Sequence, residues 1–133
     1  MSSMIISLAS GSLEKLVVAS TLTGGAVALE MDVDIYLLLG GAHAFRKDVG
    51  GAAGTYADRP ELKEEMLAGM AENAVPDPLD NFRKLKTMGN VKIHCCQAAG
   101  KIWGAGESDD FFDIVGIAKY ITSREEADVV QVL

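Results

Sequence analysis

The residues best suited to chemistry in this sequence stand side by side at His94, Cys95 and Cys96, the last two being the chain's cysteines. They end an apolar run that predicts a strand and precede "QAAGKIW", which predicts a short helix. The dipole at a helix N-terminus favours the thiolate form of a nearby cysteine, which is the nucleophilic form. Cys96 stands at this strand-to-helix junction. Because strand residues alternate between faces, Cys95 is expected to share the face of Ile93.

The same three residues also have structural interpretations. Free cysteines are often small apolar core residues, and adjacent cysteines form a disulfide only with strain. His94 is expected to pack beside the sheet with a hydrogen-bonded ring nitrogen, with a role as catalytic base as the alternative. A zinc site built from His43, His94, Cys95 and Cys96 is disfavoured, because consecutive strand residues point in alternating directions. We expect neither a metal nor a cofactor.

A second group of candidates can assist a thiolate. His43 and Arg46 follow the second predicted strand in "GGAHAFRKD", and Lys101 comes about one helical turn after Cys96. A cationic side chain near Cys96 would stabilise a thiolate or an anionic sulfur species. The alternatives are a solvated loop in which Arg46 pairs with Asp48, and a solvated Lys101.

Short apolar runs alternate with helical patterns along the whole chain. Apolar runs that are continuous, rather than alternating, are typical of strands covered on both faces of a parallel sheet. The pattern predicts a single α/β domain over residues 1–133, with an open parallel sheet and helices on both faces. Ligands of such sheets bind at the carboxyl ends of the strands. The segments at those ends are 10–12, 40–46 and 95–98.

Local signals predict where the helices begin. Ser12, Asp58 and Asp77 each precede a helical pattern and have the side chains that cap a helix N-terminus. Proline after Asp77 is typical of the first helical position.

The small residues have several interpretations. Gly24 and Gly25 within the first predicted helix indicate either a break in the helix or close packing against another backbone, and close packing is favoured. Gly40 and Gly41 are expected to close the second strand, and residues 46–58 are predicted to form a long loop. "GAGESDD" predicts a turn, and "FFDIVG" a short strand or loop before the last helix.

Composition narrows the class of protein. The chain has 133 residues, of which 49% are hydrophobic, enough for one packed domain. A net charge of −7 argues against nucleic acid and anionic membranes as partners.

The N-terminal segment has no basic n-region, and two adjacent cysteines cannot link distant segments by a disulfide. We therefore expect a reducing, cytoplasmic location. A mean hydropathy of +0.19 favours a homo-oligomer. Neither GxGxxG nor GxxxxGK[ST] occurs, which leaves nucleotide binding without a motif.

Three segments, "EMDVDIYLLLGGAHAF", "VKIHCCQAAGKIWG" and "GIAKYITSREEADVVQVL", resemble the DsrE/DsrF-like family of sulfur-relay proteins. The resemblance spans nearly the whole chain. Cys96 and Gln97 align with the family's Ala-Cys-Gln type motif, and Cys95 replaces the usual alanine. The resemblance implies a flavodoxin-like α/β fold, assembly into trimers or hexamers, and a cysteine that carries sulfur as a persulfide or bound thiosulfate. That role carries over to Cys96 alone.

These observations predict a cytoplasmic sulfurtransferase or sulfur carrier that acts through Cys96. Its expected partners are small sulfur compounds and a sulfur-carrier protein such as a TusA-like one. One alternative is a peroxiredoxin-like thiol redox protein, in which Cys95 or a cysteine of another subunit resolves an oxidised Cys96. Another is a non-catalytic oligomeric binding module whose cysteines only fill space.

Overall fold

The fold is built around a parallel sheet, in a computed structural model that describes residues 2–104 and 111–133. Five strands of the described residues pair in the order β4-β3-β2-β1-β5, all parallel. The predicted α/β sheet is thereby confirmed. The strands are β1 (Ser3–Leu8), β2 (Asp32–Leu37), β3 (Val91–Cys96), β4 (Asp113–Val115) and β5 (Val129–Val132).

Helices connect successive strands, as a parallel sheet requires. Three 3-10 turns lie between the second and third helices, at Lys47–Val49, Gly51–Gly54 and Pro60–Leu62. The predicted turn "GAGESDD" falls mostly on residues 105–110, outside the described residues. The helices are α1 (Leu13–Ala28), α2 (Leu39–Ala44), α3 (Lys63–Glu72), α4 (Pro78–Met88), α5 (Gln97–Trp103) and α6 (Ile117–Glu126).

One face of the sheet carries the hydrophobic core. Alternate residues of the three central strands point to this face, where α1 and α4 pack against them and against each other. A hydrogen bond of 2.6 Å from Asn81 of α4 to the Ser20 hydroxyl of α1 joins the two helices. The core residues of this face include Ile6, Leu8, Leu16, Ile35, Leu37, Phe82, Ile93 and Cys95.

The opposite face lies under α6 and carries buried polar side chains beside Ile5. Ser7 of β1, Tyr36 of β2 and His94 of β3 point to this face, and all three are buried. Tyr120 and Ser123 of α6 bond to Ser7 and Tyr36, which places this helix on the second face. Helices therefore lie on both faces, as predicted.

Two of the three predicted helix caps are confirmed. The Ser12 hydroxyl accepts a hydrogen bond from the Lys15 N–H, and the Asp77 carboxylate accepts one from the Leu79 N–H. The prediction for Asp58 is wrong, because its carboxylate accepts from the Ser12 hydroxyl and caps no helix. α3 begins at Lys63, after the 3-10 turn.

The glycines have roles opposite to those predicted. A Cβ at Gly24 or Gly25 would meet nothing within 4 Å, so the predicted close packing is wrong and α1 continues unbroken through both. Gly40 and Gly41 lie inside α2 rather than closing β2. A Cβ at Gly40 would stand 2.5 Å from the Ala9 carbonyl oxygen, and a Cβ at Gly41 would overlap the Leu8 carbonyl oxygen. These two glycines let α2 approach the end of β1.

The segment after α2 lies across the start of α1 and is not an open loop. The Glu14 carboxylate accepts hydrogen bonds from the Asp58 and Arg59 N–H groups, at 2.9 and 3.0 Å. Tyr56 accepts from the Leu13 N–H through its carbonyl, and Thr55 is buried. Contacts of this kind fix the predicted 46–58 loop against the helix.

Within residues 2–104 and 111–133, no helix combines the length and the apolar content needed to cross a membrane.

Candidate functional site

The two cysteines point to different environments, as strand alternation predicted. Cys95 is fully buried in the core face of β3. Cys96 is the N-cap residue of α5, with extended backbone angles and a partly exposed side chain. Neither cysteine forms a disulfide. Of the two thiols, Cys96 is the one that a solute can reach.

The environment of Cys95 suppresses its reactivity. Burial, together with the neighbouring Cys96, raises the pKa of the Cys95 thiol from 9.0 to about 11. Its Sγ lies 3.5 Å from the Cys96 carbonyl oxygen, a weak hydrogen bond that needs the thiol proton. Cys95 is therefore a neutral core residue at physiological pH.

The helices α2 and α5 begin side by side at the carboxyl edge of the sheet, because β2 and β3 are neighbours and Leu37 pairs with Cys95. The Trp103 indole N–H donates to the Leu39 carbonyl at 2.8 Å. The His43 ring packs edge-on against the Trp103 ring, with 4.6 Å between centroids. His43 is thus held on the helix beside the one that Cys96 caps.

Arg46 and Lys101 are less closely tied to the cysteine. The Arg46 guanidinium forms two hydrogen bonds with Asp48, at 2.7 and 3.0 Å, which is the pairing considered above as its alternative role. Arg46 also lines a cavity of about 220 Å³ beside the start of α4, together with Lys47 and Arg83. Lys101 is exposed on α5. The structure therefore brings His43 towards the helix of Cys96, while Arg46 faces a neighbouring cavity.

His94 lies on the polar face of β3, the same face as Cys96 by strand alternation. Its ring is 2% exposed and lies between two carboxylates from neighbouring strands. Nε2 is 2.7 Å from Oδ1 of Asp34, and Nδ1 is 2.6 Å from Oδ1 of Asp113. We call these three residues the Asp34–His94–Asp113 clamp. Buried and bonded at both nitrogens, His94 is placed to hold strands together.

Tyrosines extend this polar layer towards β1. The Tyr36 ring packs against the His94 ring with 4.7 Å between centroids, and its hydroxyl bonds to that of Ser123 at 2.8 Å. The Tyr120 hydroxyl bonds to that of Ser7 at 2.6 Å. Burial, with a further contribution from the charges of Asp34 and Asp113, raises the pKa of Tyr36. Tyr36 is therefore a neutral hydrogen-bonding residue.

The segment Ser10 to Ser12 follows β1, where a phosphate-binding loop would lie, but its hydrogen-bonding groups pair within the chain. The Leu13 N–H donates to the Tyr56 carbonyl, and the Ser12 hydroxyl donates to the Asp58 carboxylate at 2.9 Å. A carboxylate at this position would repel a phosphate. The geometry disfavours a nucleotide at the end of β1.

No three His, Cys, Asp or Glu residues among those that the structure describes are arranged to hold a metal ion. In the clamp, each ring nitrogen of His94 faces a different carboxylate, so the three groups do not converge on one point.

Three residues of this region were not anticipated from the sequence, namely Trp103, Asp34 and Asp113. Asp34 did carry a signal, because it interrupts an apolar strand at the alternate position shared with Tyr36. The pairing of both aspartates with His94 depends on the order of the strands in the sheet. Trp103 gave no comparable signal, since its partner carbonyl belongs to a helix 64 residues away.

The comparisons with known proteins support the fold. No family model and no curated protein sequence matches the chain. Among solved structures, the crystal structure of the ychN protein from E. coli is similar over 100% of both chains, with a TM-score of 0.57 and 15% sequence identity. That protein has a DsrE-like, flavodoxin-like fold. The likeness shows that this chain has the same type of α/β fold.

Proposed function

We propose that this protein transfers sulfane sulfur through Cys96. The observation that carries the proposal is the contrast between its two thiols: Cys96 is accessible at the start of α5, whereas Cys95 is buried and neutral. A sulfur carrier needs one accessible nucleophilic thiol. The resemblance of the "HCCQ" segment to the DsrE/DsrF-like family supports this chemistry, and the likeness to the ychN protein supports the fold in which the proposal places it.

The reaction that we propose is two successive exchanges at sulfur. The Cys96 thiolate attacks the sulfane sulfur of a donor such as thiosulfate, the S–S bond of the donor breaks, and sulfite leaves with the bonding electron pair. Cys96 is left as a persulfide. A thiolate of an acceptor protein then attacks the outer sulfur, which returns Cys96 to the thiolate and leaves the persulfide on the acceptor. Neither exchange requires an external oxidant or reductant.

Basic side chains on α2 and α5 are our candidates for assisting these exchanges. His43 lies on α2, where its ring packs against Trp103 of α5, and Lys101 also lies on α5. We propose that both stabilise anionic sulfur near Cys96 and that Arg46, paired with Asp48, contributes more weakly. The acceptor that we propose is a sulfur-carrier protein of the TusA-like kind, in a reducing cytoplasm that keeps both thiols free.

The thiol redox alternative has less support. A resolving cysteine must reach the oxidised one, but Cys95 lies in the core on the other face of β3. Adjacent cysteines also bridge only with strain.

We further propose that the chain forms a homo-oligomer, a trimer or hexamer. Ile117 and Ile121, one turn apart on α6, are both at least half exposed. Exposed apolar residues in such a row favour burial between subunits. Ile121→Glu should lower the mass measured by light scattering to that of the monomer, whereas Glu125→Gln on the same helix should not. A native protein that is already monomeric would contradict the proposal.

The sulfur-transfer proposal is tested by intact-mass spectrometry after incubation with thiosulfate, polysulfide or tetrathionate. The native protein and Cys95→Ala should each gain a sulfur-containing adduct that dithiothreitol removes, and Cys96→Ser should gain none. Cys96→Ser should keep the native melting temperature, since the residue is partly exposed. An adduct retained in Cys96→Ser, or absent from the native protein with every donor, would overturn the proposal.

A further inference from the structure

We propose that His94 positions strand β4 beside Cys96, and that one proton held within the Asp34–His94–Asp113 clamp determines how firmly the strand is held. The inference deepens the proposed function, on which it rests for its consequence at Cys96. The clamp itself can be tested without any sulfur compound.

The proton follows from the geometry of the clamp. Both ring nitrogens of His94 lie within 2.7 Å of a carboxylate oxygen. A neutral imidazole has one N–H and one lone pair, so it can donate to one carboxylate only, while its lone pair faces the oxygen of the other. One additional proton, on the ring or on a carboxyl group, turns both contacts into charge-assisted hydrogen bonds. Two contacts this short fit the geometry of a clamp that holds this proton.

When the proton leaves, the weaker side of the clamp should open. Asp34 lies in β2, which pairs with strands on both sides, whereas Asp113 begins β4, a three-residue strand that pairs with β3 at the edge of the sheet. The Asp113 side chain is 59% exposed and that of Asp34 is 32% exposed. Moving the Asp113 carboxylate fully into water therefore costs less free energy than moving that of Asp34. Loss of the proton should release β4 rather than β2.

Release of β4 would change the exposure of Cys96. Asp113, Ile114 and Val115 pair in register with His94, Cys95 and Cys96. Cys96 and Val115 share a register position two residues beyond the clamp, so detachment of β4 would uncover the edge of β3 where Cys96 begins α5. A protonated clamp would keep Cys96 partly covered.

Other polar groups face the clamp from three elements. The Tyr36 ring of β2 packs tilted against the His94 ring, and burial together with the aspartate charges keeps the pKa of Tyr36 raised. Lys92 and Cys96 are the alternate neighbours of His94 on β3. α6 contributes Tyr120 and Ser123 through Tyr36, and Arg124 donates to the Tyr120 hydroxyl.

The test is hydrogen exchange of the β4 amides, followed by mass spectrometry from about pH 5 to about pH 8, the range in which histidine side chains titrate. Rates are corrected for intrinsic base catalysis with the unfolded chain. Protection of β4 should fall about tenfold or more as the pH rises, while β1 in the sheet interior keeps its protection.

Two variants make the result specific. In Asp113→Asn the side-chain amide can donate to a neutral His94 ring, so the clamp no longer needs the extra proton and β4 should stay protected across the range. Asp48→Asn removes the same charge from an exposed position and should keep the native pH dependence. Asp113 is exposed, so its substitution should not prevent folding.

The proposal is overturned if β4 protection in the native protein does not change with pH, or if Asp113→Asn loses protection as the native protein does. These outcomes are independent of the sulfur-transfer test. A pH-dependent β4 without a Cys96 adduct would contradict the proposed function alone, and an adduct with pH-independent β4 would contradict the clamp alone. If both hold, Asp113→Asn should react more slowly than the native protein with iodoacetamide at the alkaline end of the range.

Discussion

The two faces of the sheet are stabilised in different ways. The face under α1 and α4 is filled by aliphatic and aromatic side chains such as Ile6, Ile35 and Phe82, so its stability comes from burial. The face under α6 is held by hydrogen bonds among Ser7, Tyr36 and His94 and their partners. The stabilisation from apolar burial is nearly independent of pH and is not directional. The stabilisation from hydrogen bonds depends on the direction of the bond and, where a group titrates, on pH. The polar face therefore carries the contacts between His94 and Asp113 that the proposed release of β4 would break.

The largest effect is expected on the apolar face, from Phe82→Ala. Phe82 is fully buried, and truncation of a buried phenylalanine costs about 3–5 kcal/mol through lost burial and the cavity left behind. Urea unfolding should show this decrease in the free energy of unfolding. Met88→Ala, at an exposed position of the same helix, is the matched control and should change it by less than about 0.5 kcal/mol. Equal effects would contradict the assignment of this face as the core.

An intermediate effect is expected for the thiol on the apolar face. Since the pKa of Cys95 is raised from 9.0 to about 11, its thiolate fraction near neutral pH should be about 100-fold below that of an ordinary thiol. Cys96→Ser keeps the burial that is the larger cause of this shift, so alkylation of Cys95 by iodoacetamide in this variant should be much slower in the native state than in denaturant. Cys95→Ala, which keeps Cys96, is the control and should react readily.

The raised pKa also fixes the sign of a pH effect on stability. Above the unfolded-state pKa of 9.0, the unfolded chain loses the Cys95 proton while the folded chain keeps it, up to about 11. The contribution of Cys95 to the free energy of unfolding is complete below this window and should decrease as the pH rises through it. In Cys95→Ala this contribution should vanish, and a slope equal to that of the native protein would show that Cys95 is not its source.

The smallest effect is expected on the polar face, from Tyr36→Phe. The substitution removes the hydroxyl that bonds to Ser123 but keeps the ring against His94, so the cost should be about 1 kcal/mol. A double-mutant cycle with Ser123→Ala isolates the pair. A coupling energy of zero would mean that α6 is held by other contacts and that the polar face is less cooperative than its bonds indicate.

Local signals sufficed for much of the fold and for part of the site. The run ending at Cys96, the cap at Asp77 and the alternation that separates Cys95 from Cys96 all depend on near neighbours in sequence, and all were predictable. The errors involve distant partners. Asp58 accepts a hydrogen bond from Ser12 rather than from a nearby amide. At position 40 a side chain would collide with the Ala9 carbonyl, so a glycine is needed there. The sequence does not reveal which strands are neighbours.

The same limit applied to His94. A hydrogen-bonded ring was expected from its position on a strand, but its two partners come from β2 and β4. Their identity requires the strand order and the register, in which His94 pairs with Tyr36 on one side and Asp113 on the other. Asp34 stands two residues before Tyr36, within reach of the ring.

The contact of Trp103 with α2 gives the protein an optical property. Trp103 is the single tryptophan of the chain, so all indole fluorescence arises from one ring on the helix that Cys96 caps. That ring lies against His43 and donates its N–H to Leu39. Indole emission responds to hydrogen bonding and to neighbouring groups, so a change at the start of α5 should alter its wavelength or intensity. Events at Cys96 can thus be followed in the unlabelled protein, in real time.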